Sequence, residues 1–590
     1  MKSNNNACAL FLATLLLSLA GWALGAVQVE EIDHGGVTHL RVKNEFFDLE
    51  FAPEKGGTAN SFKTRYSPNE WIYPGGWMFM DRFVGENWPG PLSQSRYDYR
   101  IVARGPDKAV VEFQCTTKDN ITVFKHFTVA ADSPVIQVSY GLMNQSAQPI
   151  VCGLWPQSVM YVSGSQEYNR LFRPSSGGIN IAGWDEKTKQ MVGDDYVKAP
   201  YAGWTAAMNT RTREGLVWLV DYNWLKWLYN CPPASTVELV YEAAPLPKQT
   251  KWETEYDVLL VKGFTGVCHA SANLIADMQL GPSAAGDTLA ITHTLGRSTN
   301  GEITDAKLTA TLRGVDSKEA YPLPALEVGN LSWEPKTLMQ SIKANLHQRL
   351  VCEVALTGTG ADGKPIKETY SYYWPGLTGG APAAYTRTPP RKMKVFPKPK
   401  DLAYFRKAEC RMLEFRGLFH ANFRVPEAAT RAGISEIRGS YFTTAWTGNT
   451  LSYLPTSFDE MFDNDLVVIN DVDAESLTDF GQETIVEFVK AGGCLLVLNG
   501  PNTFGHGGIQ HTRLADLLPV NVNEKSSSLS TPVNVAPSAK ILKGVRFQSG
   551  GRCCWLQDVQ PKPGAWVELT AGPAPFLICG RYGRGKVAVV

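Results

Sequence analysis

The sequence predicts a multidomain chain of β plus α/β class, and three observations carry that expectation. From residue 27 to about 280, apolar and polar residues alternate in run after run separated by Gly, Pro, Asn and Asp clusters. From 281 to 380 the runs shorten into a smaller β-module, and 381–404 are rich in Pro and basic residues. From 405 to 590 short apolar runs alternate with helical patterns, as in an open α/β sheet. At 590 residues the chain is too long for one hydrophobic core.

The first 26 residues read as a secretory signal peptide: Lys2 gives a positive start, Ala9 to Ala20 an apolar core, and Ala23-Leu24-Gly25-Ala26 a small-residue cleavage region. The mature chain is therefore expected to be secreted or periplasmic. Cys8 precedes the apolar core and no Cys follows it at the cleavage point, which argues against a lipid anchor. No later run is long enough to span a bilayer. Lys plus Arg and Asp plus Glu each number 57, so no basic surplus exists to hold a nucleic acid. The cysteines show no paired metal-ligand spacing, no metal or cofactor is expected, and most Cys read as small buried apolar residues.

In the first region Phe47, Leu49 and Phe51 alternate with Asp48 and Glu50, and the Ile121 to Val129 run alternates before the turn Ala131-Asp132-Ser133-Pro134. Such runs make an antiparallel sandwich with one solvated face per sheet. The succession NEFFDLEFAPEKGGTANSF, ITVFKHFTVAADSPVIQVSYGLMNQSAQP and AGWTAAMNTRTREGLVWLVDYN resembles the galactose-mutarotase-like supersandwich of many carbohydrate-active proteins. That resemblance implies a large antiparallel β-supersandwich over 27–280, with Asn144-Gln145-Ser146 departing at Gln145 from the family's turn.

Sugars present flat C–H faces edged by hydroxyls, so their sites need aromatic platforms beside carboxylates, amides and Arg. Trp71, Trp77, Arg82 and Trp88 crowd a Gly/Pro-rich segment with Glu86, and Trp155 and Trp204 follow, so these residues are the carbohydrate-binding candidates. The plainer reading of any one Trp is core filling. Enzymes of the resembled fold work with a general base and acid, usually His with Glu or Asp, which makes His126 with Glu86 the catalytic candidates. A lone strand His is commonly a hydrogen-bonded structural residue instead, and no motif here matches the family's catalytic pair.

Over 281–380, Ala306, Leu308, Ala310 and Leu312 alternate with Lys307, Thr309 and Thr311, and a Leu350 to Leu356 run precedes a Gly-rich turn, which predicts a small Ig-like β-sandwich. Pro389-Pro390, Pro397 and Pro399 mark 381–404 as an extended linker.

In the last region Leu466 to Ile469 is a strand, Asp479 to Lys490 a helix capped by Asp479, and Cys494 to Leu498 a second strand. The phrase FVKAGGCLLVLNGPNTFGHGG, with Leu517-Leu518-Pro519-Val520 and Gly583-Arg584-Gly585-Lys586-Val587, resembles class I glutamine-amidotransferase-like domains. The resemblance implies a flavodoxin-like parallel sheet over 405–590 and a nucleophilic Cys at the turn after the second strand. That turn holds Gly500 and Pro501, so the domain reads as catalytically degenerate and fitted for binding or assembly, with other envelope proteins as partners. Cys494 begins the strand and reads as buried; His506 and His511 lie in a Gly-rich loop. The final apolar run ends at Val590, which suggests that the natural chain continues.

The expected function is carbohydrate or polysaccharide binding in the supersandwich cleft. The alternative is a lyase or epimerase using acid/base residues of the same sandwich. An active glutamine amidotransferase is a distant third, because its nucleophile is absent.

Overall fold

The computed structural model describes residues 26–377, 394, 396 and 398–590, apart from 149, 176–177, 194–195, 199, 232–233, 243, 284–287, 446–447 and 546–550. The expected signal peptide and most of the Pro-rich linker lie outside the described residues. The chain divides into two compact units, 1–392 and 393–590.

The first unit is antiparallel throughout. Gln28–Asp33, Thr38–Lys43, Phe47–Ala52 and Thr58–Thr64 form a four-stranded sheet in chain order. A ten-stranded sheet runs from Gln190–Val192 at one edge through Lys251–Lys262, Val135–Asn144, Ile121–Ala130 and Lys108–Thr116 to Asp98–Arg104 at the other. A five-stranded sheet has the order Tyr196–Lys198, Leu225–Tyr229, Thr236–Tyr241, Leu154–Val159, Met80–Phe83. One hydrophobic core takes Phe47 and Phe51 from the first sheet, Val123 and Phe127 from the second, and Leu228 and Leu239 from the third. This is the burial that the period-two pattern predicts.

A charge pair interrupts that core. Lys125 and Asp81 are 0% and 1% exposed and stand 2.5 Å apart. Lys125 also donates to the carbonyls of Gly56 and Phe79, and the Tyr140 hydroxyl donates to Asp81 at 2.6 Å. Burial pushes the Asp81 carboxyl up and the Lys125 ammonium down, while each partner's charge opposes the shift. So many partners make a buried pair tolerable.

The smaller sandwich begins at His269 rather than at residue 281. His269–Ala270 pairs with Leu274–Pro282, which pairs with Leu289–Arg297, and Lys336–Ile342 completes their sheet. The facing sheet contains Ala320–Pro322, Ile303–Gly314, Leu350–Gly360 and Pro365–Trp374, with Leu326–Leu331 beside Ile303–Gly314. Leu274, Ile291, Leu308 and Leu356 share the core between them. Strand pairing sets this boundary, and composition alone does not reveal it.

The second unit has a mixed sheet where a wholly parallel one was expected. Glu436–Ala445, Arg411–Arg416, Leu466–Asn470, Cys494–Leu498 and Gly585–Val589 are successive parallel neighbours. Beyond them Ala574–Tyr582, Trp566–Ala571, Val520–Val535 and Arg552–Pro561 join antiparallel. Tight turns at Gly572 and Gly583, with φ of 59° and 58°, connect the late strands, and so short a link permits only antiparallel pairing. The helix Asp479–Ala491 buries Phe480, Ile485, Phe488 and Val489. Its cap is Thr478, whose side chain accepts from the Gly481 amide at 3.1 Å, and not Asp479. Among the described residues every Cys is free, and Cys494 is half-buried rather than buried. No described helix is long and apolar enough to cross a membrane.

Candidate functional site

Strand register builds a polar and aromatic face on the five-stranded sheet. Gln157 is opposite Met80 on one side and Glu238 on the other; Glu238 is in turn opposite Tyr229, and Tyr229 opposite Tyr196. Two residues along, Trp155 is opposite Arg82, and Val240 is opposite Trp227. Side chains two apart on a strand share a face, so both rows project to the same side. The intervening Leu154, Val237, Leu239 and Leu228 project the other way, into the core.

Glu238 is the centre of that face. It is 4% exposed, and the Trp155 indole donates to its Oε2 at 2.7 Å. Burial raises its carboxyl to about 7, against the opposing pull of the Thr236 hydrogen bond, the Arg82 charge and the Trp155 hydrogen bond. The Arg82 guanidinium stacks on Trp155 at 3.7 Å from the ring centroid, and burial lowers its proton affinity. Its Nε is buried without a hydrogen-bond partner. Gln157, in the amide orientation that satisfies both neighbours, donates to Glu238 at 3.3 Å and accepts from the Trp88 indole at 2.8 Å.

The segment after Met80–Phe83 folds over this floor. Arg82 donates to the Glu86 carbonyl at 3.0 Å, and the Phe83 amide donates to the Glu86 carboxylate at 2.9 Å. A side chain at Gly90 would stand 2.6 Å from Arg82 Cβ, so only Gly permits the segment to approach this closely. Trp88 is left 60% exposed; on the five-stranded sheet, half-buried Tyr196 and Tyr229 have rings 4.3 Å apart. A tyrosine pair, a buried amide, a buried guanidinium and a buried carboxyl of near-neutral titration thus share one face of the sheet, with an exposed indole bonded to the amide.

Of the residues singled out from sequence, Arg82, Glu86, Trp88 and Trp155 are brought together here. Trp71 is fully buried in the main core, with its ring edge against Phe62. Trp204 is 2% exposed in a separate apolar cluster with Phe172 and Val217. Trp77 is half-buried, its carbonyl accepting from the Val159 amide. His126 lies on the outer face of the ten-stranded sheet, hydrogen-bonded to Glu112 and 3.4 Å from the Ser139 hydroxyl. Its neighbour Lys125 takes the inward position, so His126 and Glu86 do not meet.

A cavity of about 610 Å³ also opens along that sheet, lined by Gln137, Ser139, Tyr222, Glu255 and Asp257. Burial, then the Glu255 charge, raises Asp257 to about 6. Sequence reasoning missed Glu238, Gln157, Tyr196 and Tyr229. The available signal was a carboxylate inside the apolar run Thr236-Val237-Glu238-Leu239-Val240.

In the second unit, Gly500 and Pro501 line another cavity of about 610 Å³ with Phe419, Cys553, Trp555 and Phe576. A side chain at Gly500 would meet Asp471 Oδ1 at 2.2 Å. Asp471 is held there by the Asn502 amide at 2.9 Å and the Phe419 amide at 3.0 Å. Position 500 therefore has no space for a nucleophilic side chain. His511 is exposed in the loop that follows.

No protein-family model and no curated protein matches the chain. Among solved structures, a galactose mutarotase-like protein of Clostridium acetobutylicum aligns over 40% of this chain and 99% of its own, at 11% identity and a TM-score of 0.31. A TPR-domain containing protein of Parabacteroides distasonis aligns over 38% of this chain and 47% of its own, at 11% identity and a TM-score of 0.31. A galactose mutarotase related enzyme of Lactobacillus acidophilus aligns over 40% of this chain and 98% of its own, at 7% identity and a TM-score of 0.26. Scores this low decide neither fold nor activity.

Proposed function

We propose that the chain binds a carbohydrate or polysaccharide on the face formed by Arg82, Trp88, Trp155, Gln157, Tyr229 and Glu238. One observation carries the reading: the Trp88 indole, 60% exposed, donates to the buried Gln157 amide, which in turn donates to the Glu238 carboxyl, itself bonded to the Trp155 indole on which the Arg82 guanidinium stacks. The indole supplies a platform for a sugar's C–H face, and the polar groups discriminate its hydroxyls. Fluorescence titration with a panel of uronic-acid and neutral polysaccharides tests this. Binding by the intact chain should weaken about tenfold or more in Trp88→Ala and in Glu238→Gln, and stay unchanged in His126→Ala. Affinity indifferent to both Trp88 and Glu238 would sink the proposal.

The Glu238 carboxyl near 7 favours a second reading, proton transfer on the bound sugar, because a general acid or base works best when its pKa lies near the working pH. On that reading Glu238, rather than His126 with Glu86, exchanges the proton. Ultraviolet absorbance from unsaturated product would report a lyase and anomer or epimer exchange an epimerase; either must vanish in Glu238→Gln. The second unit is read as a catalytically empty, amidotransferase-like module for binding or assembly in the cell envelope, since Gly500 leaves no space for a nucleophile. Export is part of the same proposal, and a secreted product beginning after Ala26 is its test.

A further inference from the structure

On the outer face of the N-terminal four-stranded sheet, three side chains converge. His34 lies in the turn between Gln28–Asp33 and Thr38–Lys43, His39 on the second of these strands, and Glu50 on Phe47–Ala52. The inward positions of the same strands hold Leu40, Val42, Leu49 and Phe51, all buried, so His39 and Glu50 are fixed outward by register. His39 Nδ1 stands 2.7 Å and His34 Nε2 2.9 Å from the one oxygen, Glu50 Oε1. All three donor atoms lie within 4.8 Å of one another.

Two further groups surround them. His39 Nε2 stands 3.2 Å from Glu54 Oε1, so the ring lies between two carboxylates. The Asn60 amide nitrogen is 3.5 Å from His39 Nδ1, and its oxygen is buried with no hydrogen-bond partner. A divalent cation at Nδ1 leaves Nε2–H to donate to Glu54, which fixes the tautomer, the usual carboxylate–histidine support of a metal ligand.

We infer that His34, His39 and Glu50 form a zinc-type divalent-cation site, with Glu54 positioning His39. Two imidazoles and one carboxylate suit Zn²⁺, whose tetrahedral shell separates its donor atoms by about 3.3 Å. The two contacts to Glu50 open by a few tenths of an ångström to reach that spacing, and His34 moves inward. It can do so because its turn continues through Gly35 and Gly36, at φ 69° and 92°, with no atom near either Cβ position. The bound ion would fasten this exposed turn to the third strand.

Untagged, chelator-stripped full chain titrated with Co²⁺ tests the site. The expected result is visible absorption of tetrahedral intensity saturating near one equivalent, without thiolate charge-transfer absorption, and displaced by Zn²⁺. His34→Ala and Glu50→Gln should each weaken binding at least tenfold, and Glu54→Gln by about 10- to 100-fold. His34 is exposed on a turn, so His34→Ala should retain the wild-type circular dichroism. A Zn²⁺-dependent rise in wild-type Tm gives a readout that requires no variant. Absence of the cobalt band, its persistence in both His34→Ala and Glu50→Gln, or a thiolate signature showing that cysteines hold the ion would each overturn the assignment.

Discussion

Glu238 concentrates the residue-scale argument. Its carboxyl titrates near 7 in the folded chain against an ordinary 4.5, so between those values the folded state holds a proton that the unfolded state has released. Stability linked to Glu238 is therefore present below about 4.5 and lost as pH rises through 7. Glu238→Gln removes that loss: at pH 8 the variant should be more stable than the parent by on the order of 3 kcal/mol at most, with the gap closing towards pH 4.5. Urea unfolding at both pH values measures it. Lys125→Ala should act in the opposite sense, costing about 3–5 kcal/mol, because it strands the Asp81 carboxylate in the core. The crowding of Trp88, Arg82 and Glu86 in a Gly/Pro-rich segment was legible in the sequence, since such a segment exposes aromatic rings. Glu238 was not, because one carboxylate in an apolar strand acquires meaning only from the strands paired beside it.

At the scale of elements, local chemistry and tertiary constraint separate cleanly in the unit that begins at 393. The helix Asp479–Ala491 was legible from its apolar stripe and from Gly492, which ends it with a φ of 130°. Its cap lies one residue earlier, at Thr478, so Thr478→Ala should cost about 1 kcal/mol in chemical denaturation. The Gly500 turn is constrained from outside. Gly500→Ala forces a methyl against Asp471 and should cost about 1–3 kcal/mol. Asn521, exposed on the long strand Val520–Val535, meets no such constraint, and Asn521→Ser should leave stability in the same denaturation experiment within about 0.5 kcal/mol. The first apolar strands were readable as parallel because a helix intervenes between them. The antiparallel half was misread, since an apolar run does not declare its direction until its turn length is known.

Across the whole molecule, equal numbers of acidic and basic residues make one expectation simple. Gel-shift titration at physiological salt should show no retention of duplex DNA, and a shift abolished by salt would contradict it. Period-two alternation determined that the first region is β-rich, and the switch to alternating apolar runs and helical patterns determined that a different architecture follows. These are properties of neighbours along the chain, and so they can be read from it. The tertiary structure alone decided that the second sandwich starts at His269, that His126 faces away from Arg82, and that Glu238 lies between Gln157 and Tyr229. Each depends on which strands pair and in what register, and a shift of one residue would reverse every side chain's face.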